Sequence, residues 1–216
     1  MIVGSKPPTE IGGSAVPQDA VSDTTWRWAG RHLPAYLLAH SVRSYCWATE
    51  IAAVEGWAFD RQVLWNTALL HDFALTRIPR NTKCFELEGG DIARRVLVGF
   101  GLAAPLADHV ARVIVDHMRA GVTLADGVES VLLDRATGLD VRGDGYELVN
   151  RVRLAVVAAW PRGAFDRHFL RAIEHEVAIR PGCESSRLLR GNDLAGWMTR
   201  SPWRGEPPEE GALVGA

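Results

Sequence analysis

The sequence predicts an all-α fold, a helical bundle with flexible N- and C-terminal extensions, and three observations support this prediction. Apolar residues recur at spacings of three and four, the period of a helix, through most of the chain. Long β-branched runs bounded by turn residues, which are typical of strands, are missing. The chain has 216 residues, 47% of them hydrophobic, so it can bury a core without disulfides or metals. Any bound metal is therefore expected to be functional.

Composition predicts three segments. Residues 1–21 are rich in Gly, Pro, Ser and Thr and read as a flexible or draped N-terminal extension. Residues 22–200 carry the helical periodicity and form the predicted domain. Residues 201–216 contain three prolines and are predicted to be a flexible C-terminal tail. No internal repeat is evident, so a single helical domain is expected.

Start and stop signals define the helices in order. The first predicted helix begins at Pro34, because proline suits a first helical turn, and ends near Gly56. Asp60 is suited to the N-cap of the second helix, which runs out around His71, Asp72 and Phe73. A loop with Pro79, Asn81 and Lys83 follows. Gly and Pro residues separate the further predicted helices, at about 87–99, 104–119, 124–139, 145–159 and 164–180.

Charge and cysteine usage exclude several classes of partner. The net charge is -2 and the pI is near 6.4, so the chain has no basic surface for a nucleic-acid backbone. No apolar stretch approaches the ~18 residues of a membrane span, and no signal-peptide core is present. Cys46, Cys84 and Cys183 are too few and too far apart for a disulfide framework or a zinc knuckle. A cytoplasmic protein without a nucleic-acid or membrane partner is expected.

The doublet His71-Asp72 follows an apolar helical segment, where most residues should be buried. Both side chains can reach one cation beyond the end of that helix. An imidazole and a carboxylate together suit Zn²⁺, Fe²⁺ or Mn²⁺. The doublet by itself is also typical of a surface His–Asp pair at a helix terminus, so it does not decide between these interpretations.

Other histidines and acids extend the doublet to a set. His40 lies on the apolar face of the first predicted helix, and His117 and Asp140 lie on later helices. A lone histidine on such a face is usually a core residue with a satisfied hydrogen bond. Several buried imidazoles and carboxylates are costly without partners, however, and one metal satisfies them together.

These residues resemble the HD-domain superfamily of metalloenzymes, whose signature is a His, a later His-Asp doublet and a distant Asp on helices around one metal. More narrowly, the chain resembles the cyanamide hydratase branch of that superfamily, over roughly residues 15–190. The narrower resemblance rests on Leu33-Pro34, His40-Ser41-Val42-Arg43-Ser44-Tyr45, Ala68-Leu69-Leu70-His71-Asp72, Phe85-Glu86 with Gly89-Gly90, and Arg180-Pro181.

The resemblance implies a metal-dependent hydratase (lyase) or hydrolase of the HD fold. His40, His71, Asp72 and Asp140 would hold one divalent ion, Zn²⁺ or Fe²⁺. A metal-bound hydroxide would add to a small neutral electrophile, such as cyanamide, a nitrile or an isonitrile-like group. His117 or Glu86 would transfer the proton, although a helix-face His and a helix-start Glu also have ordinary structural uses.

Several residues differ from those usual in the wider superfamily, and these differences limit the reactions and the number of metal ions that are expected. Ala74 and Leu75 stand where HD phosphohydrolases usually have a Gly and a phosphate-binding Lys. Phe85 stands where dinuclear members have an extra His, so one metal is expected. An aromatic and apolar substrate pocket is predicted, unless its residues are plain core. The residues predicted to form it are Phe73, Leu75, Trp65 and Trp47.

Two alternative functions remain open at this point. The first is an HD phosphohydrolase that acts on a nucleotide or phosphate ester, against which Leu75 argues. The second is a degenerate HD module that binds a ligand or a partner protein without turnover. The complete metal-binding set argues against this second alternative. The sequence leaves the oligomeric state undetermined.

Overall fold

The computed structural model describes residues 6–76 and 82–205. Helices, joined by short 3₁₀ turns, account for nearly all regular structure in these two ranges, which confirms the predicted all-α class. A two-stranded antiparallel hairpin, β1 (Glu10–Ile11) and β2 (Ser14–Ala15), precedes them. The helices are α1 (Ala20–His32), α2 (Ala35–Glu55), α3 (Arg61–Leu70), α4 (Phe85–Gly99), α5 (Ala104–Asp116), α6 (Val128–Arg142), α7 (Arg153–Ala159), α8 (Phe165–Ile179), α9 (Glu184–Ser186) and α10 (Leu194–Arg200).

Helix α2 is the centre of the bundle. Its residues from Ala39 to Ala52 are all buried, and a helix that is buried on every side is expected at the middle of a core. Helices α3, α6 and α8 pack around it. Pro34 is its N-cap, and Gly56 ends it with φ at 71°, a left-handed conformation that glycine adopts without strain. Both predicted ends are confirmed.

Helix α3 carries the His-Asp doublet at its C-terminal end. The N–H of Val63 donates to the Asp60 carboxylate at 3.0 Å, which confirms Asp60 as the N-cap. All α3 residues from Val63 to Leu70 are buried. His71 is the C-cap, and its N–H donates to the Thr67 carbonyl. The doublet therefore lies at a buried helix end, and both of its side chains are buried.

The structure contains one helix that the sequence did not predict, and two predicted helices differ from those observed. Helix α1 has no predicted counterpart, although Asp19 caps it by accepting a hydrogen bond from the Ser22 N–H. The segment predicted as 124–139 begins with a 3₁₀ turn, and α6 starts only after Gly127, whose φ of 108° excludes a continuous helix. The segment predicted as 145–159 consists of a 3₁₀ turn, Tyr146–Val149, followed by α7.

The described parts of the two predicted extensions pack on the bundle. Ile11 and Val16 are buried, and the Tyr45 hydroxyl donates to the Ala15 carbonyl at 2.6 Å. At the other end, the Trp203 indole N–H donates to the Leu139 carbonyl at 2.8 Å. Residues 1–5 and 206–216, with most of the predicted loop around residue 79, lie outside the described residues, and the domain boundaries stay a prediction.

A disulfide links Cys84 to Cys183, with their Cα atoms 5.5 Å apart. The prediction that the cysteines are too few and too far apart for a disulfide framework did not foresee this single bridge. Their separation of 99 residues along the chain does not reveal that the start of α4 packs beside the turn that follows α8. Cys46 is a free, buried thiol. No helix in the described ranges has the length and hydropathy to cross a membrane.

Candidate metal centre

Three predicted metal ligands meet at the centre of the bundle. His40 comes from α2, while His71 and Asp72 come from the end of α3. Each offers one ligand atom, and the three atoms lie within 4.8 Å of one another. The Nε2 atoms of His40 and His71 are 3.2 Å apart, and Asp72 Oδ2 lies 3.5 and 3.3 Å from them. All three side chains are buried, so this group can bind a metal.

Hydrogen bonds on the far side of each imidazole favour metal binding. His40 Nδ1–H donates to Asp140 Oδ2 at 2.7 Å, and His71 Nδ1–H donates to the Ala68 carbonyl at 2.9 Å. With the proton on Nδ1, each Nε2 carries a lone pair, which is the tautomer that metal-bound histidines use. Two lone pairs that face each other at 3.2 Å repel unless a proton or a metal cation lies between them. The donor set therefore fits a divalent ion.

The Asp72 carboxylate completes this fit. Asp72 is 3% exposed, and its Oδ2 has no hydrogen-bond donor among the described residues. Burial raises the pKa of Asp72, but the neighbouring His71 and His117 outweigh burial and hold that pKa well below its usual range. A buried oxygen without a partner is costly, and a metal at the two Nε2 atoms would satisfy it.

His40 Nε2, His71 Nε2 and the Asp72 carboxylate form what we call the metal-ligand group. Asp140 contacts the opposite edge of the His40 ring, at Nδ1. Its Oδ1 accepts from Arg43 Nε and from Trp47 Nε1, each at 2.8 Å. Its Oδ2 accepts from His40 and from Arg43 Nη2, each at 2.7 Å. Burial raises the pKa of Asp140, but Arg43 and Arg162 hold it well below the usual range. The structure thus places Asp140 where it orients His40, and not with the three grouped ligand atoms.

His117 is the C-cap of α5 and lies beside the doublet. Its Nδ1–H donates to the Ile114 carbonyl, which leaves a lone pair on Nε2. That Nε2 lies 3.7 Å from Asp72 Oδ1, and the His71 and His117 rings meet edge to face with centroids 5.1 Å apart. His117 therefore places its Nε2 next to the metal-ligand group, where this atom can accept a proton when the ring is neutral.

Glu86, the other predicted proton-transfer residue, lies in the first turn of α4. Its side chain is buried, and its Oε2 has no donor within the described parts of the chain. Burial raises its pKa, and the positive charge that His117 can carry opposes this shift. Glu86 does not line the cavity described next.

A cavity of about 250 Å³ opens onto His40, His71, Asp72 and His117. One wall is the face of α6 that carries Asp134, Thr137, Gly138 and Val141. These four positions follow the i, i+3, i+4, i+7 spacing of a single helix face. Sequence reasoning missed them, although this stripe of small and polar residues was a signal that could have identified them. The segment that follows α8 closes the opposite side, with Arg187, Leu188, Asn192 and Trp197.

The four residues predicted to form an apolar pocket belong to the core and do not line this cavity. Trp47 stacks on Trp203 with ring centroids 5.5 Å apart. Trp65 stacks on Trp26 at 5.9 Å, and Phe73 packs on Trp28 at 4.5 Å. Leu75 is partly buried against the same core. Residues next to each other on a helix point about 100° apart, so proximity in sequence to His40 or His71 did not bring them to the site.

Comparison with known proteins identifies relatives of the chain. No family model matches it. Two curated proteins of Saccharomyces cerevisiae, cyanamide hydratase DDI2 and cyanamide hydratase DDI3, are each 29% identical to it over 174 residues. The chain resembles cyanamide hydratases. Each alignment covers 78% of this chain and 76% of the relative. The resemblance to this branch is thus confirmed, whereas membership of the wider HD superfamily stays a prediction.

Proposed function

We propose that the protein is a metal-dependent hydratase that adds water to the carbon–nitrogen triple bond of a cyanamide or nitrile. The observation that carries this proposal is the group of His40, His71 and Asp72 ligand atoms at the inner end of an open cavity. Three protein ligands with further positions open are typical of catalytic metal sites, whereas structural sites are closed. The similarity to two cyanamide hydratases supports the choice of substrate.

The ion would be held by Nε2 of His40, Nε2 of His71 and a carboxylate oxygen of Asp72. A bound divalent ion supplies a Lewis acid that activates water at neutral pH and polarises the group under attack. Asp140 keeps the proton on His40 Nδ1 and fixes the plane of the ring. Because Arg43 and Trp47 also bond this carboxylate, His40 has little freedom to turn away.

His117 would move the proton in this reaction. Hydration breaks one O–H bond of water, forms a C–O bond at the nitrile carbon and adds a proton to the nitrile nitrogen. His117 Nε2 carries the lone pair that takes this proton and then returns it to nitrogen, since Nδ1 is fixed by the Ile114 carbonyl. Glu86 is a weaker proposal for this role, because it lies outside the cavity wall.

The first test of this proposal compares metal content with urea formation from cyanamide. We expect about one Zn or Fe per chain in protein purified without chelators. His71→Ala and Asp72→Ala should lose both the metal and the activity, because each removes one of three ligands. His175→Ala is the control, since His175 is exposed and lies outside the cavity wall. Activity in a metal-free His71→Ala variant would refute the proposal.

A second variant separates proton transfer from metal binding. His117→Gln should keep the metal, because the three ligands remain, and should lower kcat by about 10²–10⁴-fold, the usual contribution of a positioned acid or base. Elemental mass spectrometry and steady-state kinetics on the same preparation measure the two quantities. Loss of metal from this variant would instead make His117 a ligand, and unchanged kcat would remove it from the reaction.

A further inference from the structure

The disulfide between Cys84 and Cys183 lies beside the wall of the cavity. Cys84 is the N-cap of α4, and Cys183 is the N-cap of α9. The chain runs from α9 into one π-helical turn, Arg187–Gly191, and two residues of this turn, Arg187 and Leu188, line the cavity. We call residues 183–191 the wall segment. The proposed hydration uses neither sulfur, but their bond fastens the wall segment to α4.

Few other polar contacts hold the wall segment. Among the described residues, a single hydrogen bond joins it to a part of the bundle beyond the adjoining turns, from Arg187 Nη2 to the Met118 carbonyl at 3.0 Å. Its other hydrogen bonds are internal or reach flanking residues. The side chains of Ser185 and Leu188 are buried. Because α9 is too short to be stable alone, the order of the wall segment depends on these contacts and on the disulfide.

The backbone here adopts two uncommon conformations. The first is the π-helical turn, a rare element that is frequent at functional sites. The second is at Asp193, whose φ of 52° is the one positive φ of a non-glycine residue in the parts of the chain that the structure describes. Such a conformation costs free energy that the surrounding contacts must offset. This region therefore keeps its observed shape only while those contacts hold it.

A separate ion-pair cluster joins α4 to α8 without the disulfide. Arg180, the C-cap of α8, donates from Nη2 to Glu88 of α4 at 2.6 Å and from Nη1 to Glu176 of α8 at 3.0 Å. All three side chains are buried, so separation of these charges would be costly. Cleavage of the disulfide should thus release the wall segment and leave the helical bundle folded.

The disulfide is open to thiol–disulfide exchange at Cys84. Cys84 is half-buried, whereas Cys183 is buried, so a thiolate of an added dithiol attacks Cys84 Sγ. This attack forms a mixed disulfide and releases Cys183 as a thiolate, which takes a proton. The second thiol of the dithiol then displaces Cys84, and the N-terminus of α4 stabilises the negative charge on this leaving sulfur. Two electrons and two protons pass from the dithiol, which becomes a disulfide, to the two cysteines, which become thiols.

We propose that the bond between Cys84 and Cys183 is a redox switch of the cavity. The oxidised protein holds the wall segment in place, and reduction by a dithiol releases it and weakens substrate binding. The metal-ligand group and His117 lie on α2 and at the ends of α3 and α5, so reduction acts on binding and not on the reacting groups. The effect on the substrate rests on the proposed function, whereas the release of the wall segment does not.

Hydrogen exchange followed by mass spectrometry tests the release of the wall segment. Its amides should exchange about 10-fold or more faster after reduction with dithiothreitol than in the oxidised protein, while the amides of α2 and α3 keep their rates. These rates are measured on the wild type and need no variant. Unchanged exchange in the wall segment, or faster exchange throughout the bundle, overturns the inference.

Two variants show whether the disulfide causes this response. The double variant Cys84→Ser/Cys183→Ser should exchange like the reduced wild type, with or without dithiothreitol. Cys46→Ser is the matched control, because it retains the disulfide and its hydroxyl can replace the thiol that donates to the Ile11 carbonyl. This control should respond to dithiothreitol as the wild type does. An equal response of the double variant would place the effect outside the disulfide and overturn the inference.

Steady-state kinetics with cyanamide test the effect on the substrate. Reduction should raise KM by about 10-fold, as when one molecule in about ten has the wall segment in place, and should change kcat by less than about 2-fold. The double variant should have the raised KM in both conditions. Hydration that does not depend on the redox state would refute the switch and retain the hydratase. Redox-dependent exchange of the wall segment with no hydration of cyanamide would retain the switch and refute the hydratase.

Discussion

At the scale of single residues, Asp140 connects the metal-ligand group to the core. It bonds His40, Arg43 and Trp47 of α2 and lies 3.3 Å from the Arg162 guanidinium. Arg43 is fully buried, and the Asp140 carboxylate is its counter-ion. A buried ion pair adds little net stability, but loss of one partner leaves an uncompensated buried charge, which costs about 3–5 kcal/mol.

Asp140→Asn should therefore have two effects. It should lower the free energy of unfolding by about 3–5 kcal/mol, and it should weaken Zn²⁺ binding by about 10–100-fold, because His40 loses its anionic anchor. Urea denaturation and competition with a chelating dye measure these effects. Asp108→Asn should change stability by less than about 1 kcal/mol, as expected for the exposed pair of Asp108 with Arg94. Unchanged Zn²⁺ affinity would contradict the positioning role of Asp140.

The difference in stability between wild type and Asp140→Asn should depend on pH. The folded protein holds the pKa of Asp140 well below its ordinary value of 3.8. A depressed pKa contributes stability that is fully present above the unfolded value and is lost as pH falls toward the folded one. The stability gap between wild type and Asp140→Asn should thus be constant above about pH 5 and narrow below pH 4. A gap that widens in acid would contradict this linkage.

At the scale of elements, the contact between α4 and α5 depends on Gly90. A Cβ at this position would lie 3.0 Å from the Ala111 carbonyl oxygen and 3.3 Å from Val115 Cγ2. The two helix backbones can approach closely here because glycine has no side chain. Gly99, near the end of the same helix, has open space around the corresponding Cβ position. The two glycines thus form a matched pair for measuring this contact.

Gly90→Val should lower the free energy of unfolding by about 1–3 kcal/mol, because the added carbons push α4 away from α5. Gly99→Val should stay within about 0.5 kcal/mol of wild type, the usual range for exposed substitutions. Chemical denaturation of both variants gives the comparison. Equal effects would show that helix propensity, and not the contact with α5, determines the result.

How far the sequence predicts these elements depends on whether the signal is local. Pro34, Gly56 and Asp60 mark the ends of α2 and α3, because capping and positive φ act within a few residues of each end. Helix α1 has an equally local cap at Asp19. The Gly, Pro, Ser and Thr content of residues 1–21 nevertheless assigned Asp19 to the predicted extension. The position of Asp140 behind His40 depends on how α2 crosses α6, and no local pattern reports that crossing.

At the scale of the whole molecule, the Cys84–Cys183 disulfide ties α4 to the segment that closes the cavity. Cys183 immediately precedes α9, and Arg187 and Leu188 of the cavity wall follow within five residues. A disulfide across 99 residues limits the freedom of the unfolded chain and typically contributes about 2–4 kcal/mol to stability. Its presence can be tested by counting thiols.

Iodoacetamide at pH 8 should label a different number of cysteines in each of three states of the protein, and mass spectrometry counts the labels. The native protein should show none, since Cys46 is buried and burial raises its pKa to about 12. The denatured, unreduced protein should show one thiol, and the denatured, reduced protein all three. Three labels without reduction would show that the disulfide is absent.

The stack of Trp203 on Trp47 has a consequence for biosynthesis. A ribosome makes His40, His71 and Asp72 early, whereas Asp140 and Trp203 emerge much later. Until then the nascent chain carries all three proposed ligands, but His40 lacks the carboxylate that orients it and Trp47 lacks its stacking partner. Because domains complete their packing only once their contributing segments are available, we expect that a metal bound as proposed would be acquired only after Trp203 has emerged from the exit tunnel.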